Sequence, residues 1–107
     1  MGLLEDLLWG SRMDKGVEEF RSTPGAVLLD VRTRGEYADG HIPGSVNIPL
    51  DEIASAQKIV PGKDTPLFVH CLSGGRSGQA VRLLAQMGYD NARNIGGISS
   101  YHGEVER

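Results

Sequence analysis

The sequence predicts an α/β fold built on a mainly parallel sheet, and three observations predict it. Two continuous apolar runs, Ala26-Val27-Leu28-Leu29 and Leu67-Phe68-Val69, each follow a Pro- or Gly-containing turn. Such runs suit strands buried on both faces. Segments with helical spacing separate and follow them, and strands alternating with helices give parallel pairing through crossover connections. The 15 glycines among 107 residues are scattered rather than massed, which marks turns and tight backbone sites. That length holds one hydrophobic core.

The elements follow in order. Residues 1–12 form an N-terminal apolar segment, with Leu3, Leu4, Leu7 and Leu8 at helical spacing beside Trp9; they are expected to pack as a short amphipathic flap on a single domain spanning 13–107. Asp14 is expected to cap a helix running to Arg21, with Val17 and Phe20 inward and Glu18 and Glu19 outward. Thr23-Pro24-Gly25 ends it, and Ala26–Val31 is the first buried strand. Arg32–Gly40 is polar, with one helical turn around Glu36 and Tyr37. His41-Ile42-Pro43-Gly44 is a turn before a short strand over Ser45–Ile48. Residues 50–58 read as a helix with Ile53 inward, and Pro61-Gly62 and Pro66 bracket a loop. Leu67–His70 is the next strand, with Cys71 at its end. A helix is expected from Ser77 to Met87, with Ala80, Val81, Leu84 and Met87 on one face and Gly88 as its stop. Ala92–Ile95 is a last strand, and Gly96-Gly97 turns the chain into a final helical segment.

Composition excludes several function classes. The net charge is −3 with no Lys/Arg cluster, so binding to nucleic acid or anionic lipid is not expected. No stretch reaches the length of a membrane span. A single cysteine rules out an internal disulfide and suits a reducing compartment. The first residues lack a basic segment ahead of an apolar run, so no signal peptide is read. A soluble, cytoplasmic protein is the expectation. The three histidines show no metal-ligand spacing with the lone Cys, so neither metal nor cofactor is expected.

The chemistry concentrates at residues 70–77. In open parallel sheets ligands bind beyond the carboxyl ends of the strands, where Cys71 is placed. Cys71 also precedes a helix N-terminus, whose unpaired N–H groups carry about half a positive charge. Gly74 and Gly75 let the backbone curl its N–H groups inward, and Arg76 adds a cation. These neighbours lower a thiol pKa from about 8.5 toward neutrality, and the thiolate is the attacking form. A buried structural cysteine needs neither the adjacent glycines nor the arginine.

Three blocks over about residues 14–101 resemble the rhodanese family: Asp30-Val31-Arg32 with Glu36-Tyr37, Gly40-His41-Ile42-Pro43-Gly44-Ser45-Val46-Asn47-Ile48-Pro49, and Cys71-Leu72-Ser73-Gly74-Gly75-Arg76-Ser77 followed by Gly96-Gly97-Ile98. The resemblance implies a three-layer fold, a sheet of four to five strands between helices. A first strand of that sheet would have to come from residues near Ser11–Met13. It also implies sulfur transfer. Cys71 takes a sulfane sulfur from a donor such as thiosulfate, holds it as a persulfide, and yields it to cyanide or a thiol. Leu72, Ser73, Gly74, Gly75, Arg76 and Ser77 form the substrate loop, with Arg76 either touching substrate or holding the loop. With no second cysteine, thiol resolution falls to another molecule: a thioredoxin-like reductant or a sulfur-accepting protein.

Rival readings remain beside it. A sulfur-carrier or regulatory module would keep the same loop and turn over poorly. Phosphatase or arsenate-reductase chemistry is disfavoured, because four residues separate Cys71 from Arg76, and related phosphatases use a longer loop to cradle a tetrahedral anion. Asp30 and Glu36 are expected to make structural ion pairs and turn caps beside Arg32 and Arg34 rather than an acid/base pair. His41 is expected to pack and hydrogen-bond within its turn. His70 points away from the thiol because neighbouring strand residues alternate faces. His102 is expected to be solvated, and Tyr101 to pack where many relatives carry Trp.

Overall fold

The two unbroken apolar runs become the two central strands. In the computed structural model, which describes residues 10–107, β1 (Val27–Asp30) pairs in parallel with β3 (Leu67–Cys71). The short β2 (Ser45–Asn47) adds to the far side of β1, and β4 (Ala92–Gly97) to the far side of β3. The order β2-β1-β3-β4 is all parallel. The strands alternate sides. Leu29, Val31, Val69 and Cys71 join one buried cluster, and Leu28 and Phe68 the other. Each such aliphatic side chain contributes about 1.5–3 kcal/mol by leaving water.

Helices cover both faces, as three-layer architecture requires. On the first face lie a 3₁₀ segment (Leu50–Ser55), α3 (Ala56–Ile59) and α4 (Gly75–Gln86). On the other lies α1 (Arg12–Arg21). Between β1 and β2 the chain makes α2 (Arg34–Asp39). After β4 it ends in a 3₁₀ turn (Ile98–Ser100) and a tail. None of the described helices is long and apolar enough to cross a membrane.

Several expectations are corrected. α1 is capped by Ser11, not Asp14. Ser11 accepts from the Asp14 N–H, and Asp14 returns a bond to the Ser11 N–H, a reciprocal box that satisfies two otherwise orphaned donors. Because Ser11 caps and Arg12 and Met13 open this helix, no strand comes from them, and the described residues hold four strands. The single helix expected over 50–58 is instead a 3₁₀ segment kinked at Glu52 and followed by α3. The Tyr89 hydroxyl lies 2.9 Å from the Ala56 carbonyl and 2.5 Å from that of Val60, holding both ends of α3. α4 starts at Gly75, two residues before Ser77. His102 is exposed but not free: its Nδ1 lies 2.6 Å from Asp14 Oδ2. Tyr101 packs half-buried on the α1-side cluster. The flap expected over 1–12 lies outside the described residues except for its last three.

Candidate active site

Strand β3 ends on Cys71, and the chain turns at once through Leu72, Ser73 and Gly74 into α4. Two glycines make this turn possible. Gly74 caps the helix at φ +109°, a left-handed conformation in which a side chain is strained. Gly97, the partner of Cys71 on β4, lies under the loop: a Cβ there would sit 2.1 Å from the Leu72 carbonyl oxygen and 2.4 Å from Ser73 Cα. The Ser99 N–H donates to that same carbonyl at 3.0 Å.

The sulfur sits at the base of the loop. Cys71 is only 1% exposed, while Leu72, Ser73 and Gly75 are exposed above it. The Gly74 N–H donates to Sγ at 3.0 Å, and the Ser77 hydroxyl lies 3.4 Å from it. Burial pushes the thiol pKa up. Hydrogen bonds from the Ser77 hydroxyl and from the Ser77, Gly74 and Ser73 N–H groups outweigh it and hold the thiol below its ordinary value. Of the loop residues, Ser73, Gly74 and Ser77 are thus gathered on the sulfur, and the exposed Leu72 and Gly75 form the outer part of the loop.

Arg76 turns aside from the sulfur. Its guanidinium makes a two-pronged ion pair with Glu36, at 2.7 and 3.0 Å. That pairing, with the Thr33 N–H, holds the Glu36 carboxyl down to about 2. Glu36 also completes a capping box with Thr33 at the start of α2. The arginine therefore ties the loop to α2, and it feels a Cys71 thiolate only as an attraction weaker than that of Glu36.

On the opposite side of β3, Asp30 and Arg32 form a buried ion pair at 2.7 Å, and Arg32 also donates to the Gly40 carbonyl at 2.8 Å. The fully buried His70 faces them, its Nε2 3.7 Å from Asp30 and without a hydrogen-bond partner. Its other ring nitrogen lies 3.1 Å from the Cys71 carbonyl oxygen, not near the thiol. Arg34 pairs with Glu52, and His41 stacks on Tyr37 with its Nδ1 2.8 Å from the Tyr37 carbonyl. None of these contacts reaches Cys71 Sγ.

The profile of the Rhodanese-like domain family matches residues 14–104. The chain belongs to that family. It is 39% identical over 71 residues to the thiosulfate sulfurtransferase PspE of Escherichia coli, covering 65% of this chain and 68% of that one. It is 39% identical over 85 residues to the human thiosulfate:glutathione sulfurtransferase, covering 67% and 74%. A solved rhodanese with anions from E. coli superposes with a TM-score of 0.71 at 34% identity, covering 77% of this chain and 98% of that one. The chain spans only 29% of a matching Ogataea parapolymorpha adenylyltransferase and sulfurtransferase.

In this rhodanese-like domain one residue of the site escapes sequence reading. Asn94, in the middle of β4, accepts from the Gly96 N–H at 3.0 Å and donates to the Gly74 carbonyl at 3.0 Å. Its Oδ1 lies 2.7 Å from the Ser77 hydroxyl. The available signal is a polar side chain inside a short strand, immediately ahead of the Gly-Gly pair.

Proposed function

We propose that the domain is a sulfurtransferase that carries sulfane sulfur as a persulfide on Cys71. The observation that carries this reading is the sulfur's surroundings: a buried Sγ facing the Gly74 N–H and the Ser77 hydroxyl, in a loop whose arginine is already paired with Glu36. The names of the relatives support the same chemistry.

In the proposed cycle the Cys71 thiolate attacks the outer sulfur of thiosulfate. The sulfur–sulfur bond of the donor breaks, sulfite leaves with the electron pair, and Cys71 holds a persulfide anion. The amides of Ser73, Gly74 and Ser77 then face a negative charge in both states, so the site is complementary to the anion throughout. Cyanide attacks the outer sulfur and leaves as thiocyanate, or a thiolate leaves as a new persulfide; either step restores the Cys71 thiolate. Glutathione, a thioredoxin-like reductant or a sulfur-accepting protein supplies the thiol. The lone cysteine suits a reducing compartment, so we place the reaction in the cytoplasm.

The test is intact mass. After incubation with thiosulfate the protein gains one sulfur atom, cyanide removes it, and Cys71→Ala gains none. A wild type that takes up no sulfur from thiosulfate or from any other sulfane donor overturns the proposal. Loading without release to cyanide or glutathione would replace the enzyme with a dedicated carrier.

A further inference from the structure

The Ser77 hydroxyl is surrounded by more acceptors than it can serve. It is buried, and within 3.4 Å of its oxygen lie Asn94 Oδ1 (2.7 Å), the Gly74 carbonyl (3.1 Å), Cys71 Sγ (3.4 Å) and the Gly96 carbonyl (3.4 Å). A hydroxyl has one hydrogen. The orientation of the Asn94 amide is fixed by its other partners, because Oδ1 accepts from the Gly96 N–H and Nδ2 donates to the Gly74 carbonyl. Two oxygens at 2.7 Å need a hydrogen between them, and the one facing Asn94 Oδ1 belongs to Ser77.

With its hydrogen on Asn94, Ser77 turns lone pairs toward Cys71. That arrangement suits a thiol, which donates its own S–H, and opposes an anion. We propose that Asn94 is a positioning residue that holds the Ser77 hydroxyl hydrogen while Cys71 is a thiol and releases it to the sulfur once the sulfur is an anion. The hydroxyl only rotates about its Cβ–Oγ bond; the thiol proton goes to solvent, and Ser77 keeps its own. A bond to an anionic sulfur is charge-assisted and outcompetes the neutral amide. Asn94 tolerates the loss because its Oδ1 keeps the Gly96 N–H. Ser77 thus serves both protonation states of the sulfur, and Asn94 sets the balance between them.

This rests on the reading of Cys71 as the nucleophile, but its test needs no sulfur donor. The Cys71 pKa is measured on the full chain from the pH dependence of iodoacetamide alkylation. Asn94→Ala frees the hydroxyl, so the pKa falls by about half a unit. In a Ser77→Ala background the Asn94→Ala shift disappears. A support role alone would loosen the loop and raise the pKa in Asn94→Ala. That result, or a shift that persists in Ser77→Ala, overturns the proposal. In the wild type, the Asn94 side-chain carbonyl carbon should titrate by NMR at the Cys71 pKa, and a carbon shift that stays flat through it overturns the proposal without any variant. Failure of sulfur loading with these pKa shifts intact overturns the sulfur-transfer reading alone.

Discussion

At Cys71 the decisive neighbour is a residue with no side chain. The loop passes so close to Gly97 that a methyl group there overlaps backbone on both Leu72 and Ser73, and backbone cannot swing aside as a side chain would. Gly97→Ala is therefore expected to cost about 1–3 kcal/mol and to lift the amides of Ser73 and Gly74 off the sulfur. Urea unfolding and the alkylation pKa check both, and a variant with wild-type stability and an unchanged pKa would falsify the close-approach argument. The sequence makes Cys71, Gly74, Gly75 and Arg76 legible because their chemistry is local and their spacing is short. It hides the partners of the loop. Glu36 stands 40 positions from Arg76 and Asn94 stands 17 from Ser77, and no spacing rule joins them.

Among the elements, α2, a six-residue helix, anchors the loop that follows Cys71. Its capping carboxylate, Glu36, is also the partner of Arg76, so the start of α2 and the first turn of α4 share one ion pair. Both side chains are about one-third exposed, so the pair contributes under about 1 kcal/mol at neutral pH. The sign of its pH dependence follows from the lowered carboxyl: its stabilisation is complete above the ordinary value of 4.5 and is lost as pH falls through about 2. Glu36→Gln should be less stable than wild type at pH 7, and the gap should close in acid; a gap that stays constant in urea melts down to the acid limit would sink the assignment. Element types were readable from hydrophobic period and turn residues, as for β1, β3 and α4. Starts and breaks were not. Ser11 and Asp14 stand at capping-box spacing, where either can be taken for the cap, and α3 is held at both ends by the Tyr89 hydroxyl, 33 positions from Ala56.

For the whole molecule, the two faces of the sheet divide the work. One face carries the sulfur and its donors; the other buries Asp30, Arg32 and His70 among apolar groups. Burial pushes the His70 pKa down, against the pull of Asp30, so the folded protein keeps this ring neutral. The unfolded chain binds the proton more readily, so the stability His70 contributes is complete above the ordinary histidine value and declines as pH falls below it. Wild type should lose stability between pH 7 and 5.5, and His70→Asn should lose less across the same interval; equal losses in urea melts would remove His70 as the cause. The parallel order and both-face burial were legible from the unbroken apolar runs. The second-face charge cluster was legible only as a list of residues, because which of them share a face depends on the register between β1 and β3. The closing of Arg76 on Glu36 carries one more consequence. The sulfur's acidity is set by amides and a hydroxyl in direct contact with it, out of water, rather than by an open cation. Dissolved salt screens exposed charges over about 10 Å at 0.1 M, which weakens surface pairs such as Arg93–Glu19, but it has little to screen at Cys71. The Cys71 thiol is thereby insulated from ionic strength, and its pKa should hold across salt changes that slacken the protein's surface.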